Sequence, residues 1–348
     1  MVVRIRPSLI GLPSYAAGRK VSGAALLASN ECPYGMLPAV AARLGCAGPA
    51  AFRYPDMACG ALVDALAAHH GVAAERIAVG AGSTEVCGQL LHTVVDPGGE
   101  VIFGWRSFEA YPLLTAVAGG TAVPVPLRED ALDLDAMLAS VTSRTRLIFV
   151  CNPNNPTGTA VGAEDLRRFL AAVSDDILVV IDEAYREYAD PALVPDAFDL
   201  LGEQPNVVVL RTFSKAYALA GLRVGYCLGA AAVIRQVRKT QAPFSVGTIA
   251  QDAAVVALGE AAEVTRRARL TVAERDRVTA RLRELGYDAP RSQANFVWLP
   301  LGPDSTRFAD QCLADGVVTR TFPGEGVRVT VGLPEENDLF LKLAEKLR

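Results

Sequence analysis

Short runs of β-branched and aliphatic residues alternate with longer stretches whose apolar positions recur at helical spacing. The runs are Arg76–Val79, Glu100–Phe103, Ala122–Val125, Arg146–Val150, Ile177–Ile181, Val207–Leu210 and Arg223–Cys227. Several are apolar throughout, the pattern of strands covered on both faces. Helical stretches such as Ser83–Val94, Phe108–Val117 and Ala163–Val173 lie between them. Strand–helix alternation predicts an α/β layered sheet with right-handed crossovers.

After about residue 245 the pattern changes. A charged helical stretch, Ala250–Leu285, leads into Asn295–Leu299, then Val327–Val331, then a closing helix. This predicts a large domain over 31–245 and a smaller α+β domain over 246–348. Residues 1–30, punctuated by Pro and Gly, are expected to form an arm packed on the smaller domain.

Composition narrows the function classes. At 348 residues the chain has room for two domains. A net charge of -4 and a pI of about 5.6 suggest no basic face for nucleic acid. The N-terminal Met-Val-Val-Arg-Ile-Arg-Pro has no long apolar segment, so no signal peptide is expected. No apolar run approaches the ~20 residues of a membrane span. Seven scattered cysteines without a Cys-x-x-Cys suit reduced thiols in a cytoplasm. The three histidines, His69, His70 and His92, are too few and too poorly spaced for a metal site.

The candidate chemistry gathers where strands end, as ligand sites do in such sheets. The chain has five lysines, and Lys215 alone follows a β-branched run, flanked by hydroxyls in Arg211-Thr212-Phe213-Ser214-Lys215. A neutral amine in an apolar site suits Schiff-base chemistry with a carbonyl cofactor; a solvated lysine after a strand is the plain alternative. Cys151-Asn152-Pro153-Asn154-Asn155-Pro156-Thr157-Gly158 forces a tight loop, and its asparagine amides can donate to a ligand. Asp182, after five apolar residues, needs a partner if buried. A protonated heteroaromatic nitrogen would serve, with Tyr185 turned to the same site; a helix N-cap is the alternative. Gly80-Ala81-Gly82-Ser83-Thr84-Glu85 exposes backbone N–H groups at a helix start, a phosphate cradle or an ordinary cap. Arg223, expected to open a strand among apolar neighbours, calls for an anion: a cofactor phosphate or a structural carboxylate.

Taken together, Asn152–Gly158, Asp182-Glu183-Ala184-Tyr185 and Arg211–Tyr226 resemble the fold-type I pyridoxal-phosphate aminotransferases, within them the histidinol-phosphate aminotransferase group. Ala28-Ser29-Asn30-Glu31, Phe52–Asp56, Ala294–Val297 and Val327–Gly332 also fit, so the match runs nearly end to end. Trp105-Arg106-Ser107-Phe108-Glu109-Ala110-Tyr111-Pro112 looks like the actinobacterial aromatic (phenylalanine) aminotransferase branch. Trp105 replaces a common proline of the histidinol-phosphate enzymes, and Gly82-Ser83-Thr84 replaces an acidic pattern seen in many members.

The resemblance implies a large domain with a mostly parallel seven-stranded sheet sandwiched by helices, and pyridoxal 5′-phosphate as cofactor. Lys215 would bond to the cofactor's carbonyl carbon and move protons. Asp182 would pair with the pyridinium nitrogen, Tyr185 and Asn155 would donate to the phenolate oxygen, and Phe108 would stack on the ring. Gly82, Ser83, Thr84, Thr212, Ser214 and Arg223 would hold the phosphate, and Tyr54 would reach the phosphate of a neighbouring subunit in a homodimer. Arg328 would clamp the substrate carboxylate, with Arg320, Tyr15 and Asn30 also at the substrate. In a histidinol-phosphate enzyme Arg320 and Arg328 would meet the substrate phosphate instead. The implied reaction moves an amino group between an aromatic amino acid and a 2-oxo acid, in two half-reactions on one site. Histidinol phosphate is the rival substrate. A decarboxylase and a non-catalytic binding protein of the same fold are the other readings.

Overall fold

Strand termini place the chemistry. The computed structural model describes residues 3, 5–6, 9–12, 21–46, 52–200 and 204–348. Their strands, in chain order, are β1 (Ala25–Leu26), β2 (Ile77–Gly80), β3 (Glu100–Trp105), β4 (Thr121–Pro126), β5 (Thr145–Cys151) and β6 (Leu178–Asp182), followed by β7 (Val207–Thr212), β8 (Gly225–Leu228), β9 (Phe296–Leu299), β10 (Val317–Val318), β11 (Arg320–Phe322) and β12 (Gly326–Thr330). Seven of them form one sheet in the order β2-β8-β7-β6-β5-β3-β4. The pairs that β8 makes with β2 and β7 are antiparallel; the remaining pairs are parallel.

Alternation along the central strands explains why their sequences read as continuous apolar runs. In β6, Val179 and Ile181 enter one core with Leu62, Phe169 and Phe213. Leu178 and Val180 enter another, on the opposite face, with Val86, Leu90 and Phe149. Both faces are covered, so neither can be polar. A third core joins Leu27 to Leu282, Val297, Leu299, Val329 and Phe340. It surrounds a three-stranded antiparallel sheet, β11-β12-β9. Beside it, β1 pairs in parallel with β10.

Three elements differ from the sequence expectation. The stretch Ala250–Leu285 is two helices, Thr248–Gly259 and Ala261–Glu284, divided at Glu260. Gly259 ends the first, where glycine's low helix propensity favours a break. That first helix buries Ala253, Ala254 and Ala257 in the same core as the large sheet. The helix expected from Phe108 begins at Ala110. Pro112 then falls in the first turn, where a missing N–H costs nothing, and Phe108 and Glu109 stay in the preceding loop. Arg223 does not open a strand: it follows the short turn Ala220–Leu222 with φ 57°, and β8 starts at Gly225.

Candidate active site

Lys215 sits in the loop that follows β7, two residues beyond Phe213, whose N–H still bonds Val224 O at 3.0 Å. Its Nζ donates to the Ser29 carbonyl oxygen at 3.0 Å. Burial pushes the ammonium down to about 7, and the positive charge of Arg328 adds to the effect. This lysine therefore offers a neutral amine near neutral pH, which an exposed lysine does not.

Asp182 ends β6 and is 4% exposed. One carboxylate oxygen, Oδ2, accepts the Tyr111 hydroxyl at 2.7 Å; the other, Oδ1, accepts Ala184 N–H at 3.1 Å. It therefore fixes a turn and caps no helix. Burial pushes its carboxyl up to about 6, and the Tyr111 hydroxyl pulls it back towards ionisation. Tyr111 stacks on Phe149 with ring centroids 4.3 Å apart. The sequence offered no sign of this tyrosine's role beyond its place inside an aromatic-rich segment. The Tyr185 hydroxyl accepts from Asn30 Nδ2 at 2.9 Å, and burial raises its pKa. Asn30 has φ 55° and receives the Thr330 hydroxyl on Oδ1 at 2.9 Å, so an asparagine in the left-handed region ties Tyr185 to β12.

The three asparagines after β5 divide their work. Asn152 bonds both ways with Val161 backbone, and Asn154 accepts from Ser107 at 2.6 Å and donates to Thr157 and Arg106 O. These two brace the loop. Asn155 lines the cavity instead, and its Oδ1 accepts from Arg328 Nη1. A guanidinium only donates, so the amide oxygen faces it and the two amide N–H donors point elsewhere.

Gly82 begins the helix Ser83–Val94 with φ 81°. The first N–H groups of a helix have no partner within it, so Ser83 and Thr84 present donors at the positive end of the helix dipole. A Cβ on Gly82 would overlap the Arg223 guanidinium, and one on Gly225 would overlap Ser83 N. Arg223 Nη1 donates to Ser214 Oγ at 3.0 Å, and Thr212 Oγ1 to the same oxygen at 3.0 Å. Backbone N–H groups, the hydroxyls of Ser83, Thr84, Thr212 and Ser214, and a guanidinium thus converge with no room for a Cβ at Gly82 or Gly225.

Arg320 and Arg328 are direct cross-strand partners on β11 and β12. Arg328 Nη2 donates to Ala28 O, and its guanidinium lies 5.3 Å from the Phe296 ring centre. Arg320 Nη2 meets Glu109 Oε2 at 2.7 Å. Nearby, Arg106 Nε meets Glu325 Oε2 at 2.8 Å. The sequence did not single out either acidic residue. Phe108 packs edge-on against Tyr111, centroids 5.4 Å apart. One cavity of about 720 Å³ is lined by Lys215, Asp182, Tyr185, Asn155, Asn30, Phe108, Ser83, Thr84, Thr212, Ser214, Arg223, Arg320 and Arg328. Tyr54 lies outside it, 82% exposed and stacked on Phe244. Tyr15 falls outside the described residues.

Residues 24–342 match the family described as aminotransferase class I and II. The chain belongs to that family. Pyridoxal 5′-phosphate is its cofactor, and it is a transaminase. The chain is 53% identical over 348 residues to an aromatic amino acid aminotransferase of Mycobacteroides abscessus, covering 100% of both. It is 51% identical over 344 residues to one of Thermobifida fusca, covering 98% of this chain and 96% of that relative. A histidinol-phosphate aminotransferase of Sinorhizobium meliloti, solved in complex with pyridoxal-5′-phosphate, superimposes with a TM-score of 0.91 at 29% identity, covering 100% of this chain and 99% of the other.

The site of this aminotransferase suits the cofactor on its own chemistry. A cradle of N–H and hydroxyl donors with one arginine fits a phosphate dianion. A buried carboxylate poised near neutrality fits a basic ring nitrogen, and a depressed lysine fits a carbonyl. Among the described residues no helix is long and apolar enough to cross a membrane, and no cluster of His, Cys, Asp and Glu could hold a metal ion.

Proposed function

We propose that this aminotransferase acts on aromatic amino acids, passing their amino group to a 2-oxo acid by a ping-pong sequence. The observation that carries the chemistry is geometric: Lys215, with its amine on Ser29 O at 3.0 Å, faces the same cavity as Asp182, Tyr185 and Arg223, and burial favours its neutral form. The substrate reading is supported by identities of 51% and 53% to relatives named for aromatic amino acids. Apolar side chains of Phe108, Leu113 and Leu114 line the same cavity and suit an aromatic ring.

When bound, pyridoxal phosphate supplies a carbonyl for amine exchange and a ring that accepts electrons from the substrate's Cα. Freed as a neutral amine, Lys215 would take the substrate's Cα proton and deliver it to the cofactor's carbonyl-derived carbon, on the other side of the amine nitrogen. Asp182, once ionised, would hold a cofactor's ring nitrogen protonated. Tyr185, whose hydroxyl accepts from Asn30, and Asn155, whose amide N–H groups stay free of Arg328, would donate to the cofactor's phenolate oxygen. Phe108 would stack on the cofactor ring, and Ser83, Thr84, Thr212, Ser214 and Arg223, with Gly82, would anchor its phosphate. Arg328 orients the substrate carboxylate, and Asn30 holds the Tyr185 hydroxyl in place. Arg320 completes the substrate side.

The active unit is a homodimer in this reading, with Tyr54 given to the neighbouring subunit. Its support is the exposed, stacked pair Tyr54 and Phe244. The compartment is the cytoplasm, in keeping with seven free cysteines. For the division into an arm (1–30), a cofactor domain (31–245) and a small domain (246–348), Leu27 in the third core supports the arm, but the helix Thr248–Gly259 packs into the large sheet's core and argues against a boundary at 245.

The test is a single-turnover experiment on the cofactor-loaded enzyme, with phenylalanine and histidinol phosphate added separately and the bound cofactor's absorbance followed. Faster conversion with phenylalanine is expected. Faster conversion with histidinol phosphate would move the enzyme to that substrate and overturn the aromatic reading.

A further inference from the structure

Two arginines opposite each other on adjacent antiparallel strands repel, because directly opposed residues bring their Cβ atoms within about 4.5–5.5 Å. Arg320 and Arg328 are such a pair, and both line the cavity. Glu109, from the loop before the helix Ala110–Ala118, reaches across to Arg320 at 2.7 Å. Glu109 lines the cavity as well. Its carboxylate therefore subtracts one unit of charge from the site where an anionic substrate group would lie.

We propose that Glu109 sets the charge preference of this anion site, matching it to a carboxylate and against a phosphate monoester. The inference rests on the aromatic amino acid reading and names the residue behind it. A carboxylate carries one negative charge, whereas a phosphate monoester carries about 1.5 to 2 at neutral pH. With Glu109 in place, a phosphate meets an arginine already paired and a second anion beside it. Like charges at such range are disfavoured, the more so where side chains are partly shielded from water. Arg320 and Glu109 are 15% and 30% exposed, so screening is incomplete.

The simpler role for Glu109 is mechanical. Arg106 and Glu325 join the same loop to the turn between β11 and β12, and Glu109–Arg320 could be a second latch between these segments. The two roles separate by substrate. A latch, once cut, affects every substrate alike; a charge filter changes the ratio between substrates.

The experiment compares cofactor-loaded wild type, Glu109→Gln, Glu325→Gln and Glu109→Gln/Arg320→Gln. Half-reaction rates with phenylalanine and histidinol phosphate are measured, along with inhibition of the phenylalanine reaction by inorganic phosphate. Glu109→Gln should shift kcat/KM towards histidinol phosphate by about tenfold or more relative to phenylalanine, and should tighten phosphate inhibition. Glu325→Gln should leave that ratio alone, and the double variant should lose the gain. An unchanged ratio in folded Glu109→Gln, or an equal shift in Glu325→Gln, would overturn the charge filter. Either result leaves the aromatic reading standing if wild type prefers phenylalanine; a wild type that fails with phenylalanine sinks that reading instead.

Discussion

The Tyr111 hydroxyl donates to Asp182 Oδ2 at 2.7 Å, joining residues 71 positions apart in the chain. The bond favours the ionised carboxylate against the burial that opposes it. Tyr111→Phe keeps the ring on Phe149 and removes only the donor. Asp182 should then titrate higher than about 6. Because the lost bond stabilises the charged form, the variant's stability deficit should grow as pH rises through that value, reaching about 1–3 kcal/mol. Urea unfolding of the cofactor-free protein at about pH 5 and about pH 8 reads this directly. An equal deficit at both values would show that the hydroxyl does not act on Asp182's charge.

Lys215 gives a second titration. With its ammonium held down to about 7 from 10.5, the reactive neutral amine is abundant at pH 8 and scarce at pH 6. Covalent capture of pyridoxal phosphate by the cofactor-free enzyme should rise with a midpoint near 7. A midpoint near 10 would contradict the burial argument. Lys215→Ala should lose both the absorbance of covalently held cofactor and turnover.

Arg328→Ala should raise KM for carboxylate substrates by roughly tenfold to a hundredfold, the loss expected for charge-assisted hydrogen bonds of about 1.5–3 kcal/mol. Cofactor affinity, measured by equilibrium titration, should change less. An unaltered KM would remove the carboxylate from Arg328.

Tyr54 is tested by mixing two inactive proteins. If it serves the neighbouring site, refolding Tyr54→Ala together with Lys215→Ala creates hybrid dimers in which one site has both its lysine and a tyrosine. Activity should exceed the sum of the two variants refolded alone. A simple sum would place Tyr54 outside the partner's site.

Much of the architecture was legible because central strands must be apolar on both faces. Val207–Leu210 and Ile177–Ile181 announce themselves this way, and Asp182 and Thr212 extend the observed strands into the cavity. Helix limits were harder to read. Nothing in the charged stretch Ala250–Leu285 marks Glu260 as a break except the glycine before it. Asn152, Asn154 and Asn155 look alike in sequence, yet only Asn155 lines the cavity. Loop curvature turns the other two inward to satisfy backbone groups, an outcome no spacing rule encodes.

The sequence by itself determined the layered α/β fold, the family and the lysine, aspartate and arginine that suit its cofactor, because each is carried by local pattern. Only the tertiary structure decided which side chains modify them. Asn30 reaches Tyr185, Asn155 reaches Arg328 and Glu109 reaches Arg320 across 155, 173 and 211 positions of chain. Hydrogen bonds need partners within about 3 Å and exposed charges are screened beyond roughly 10 Å, so these couplings exist only once folding brings the distant segments to one cavity.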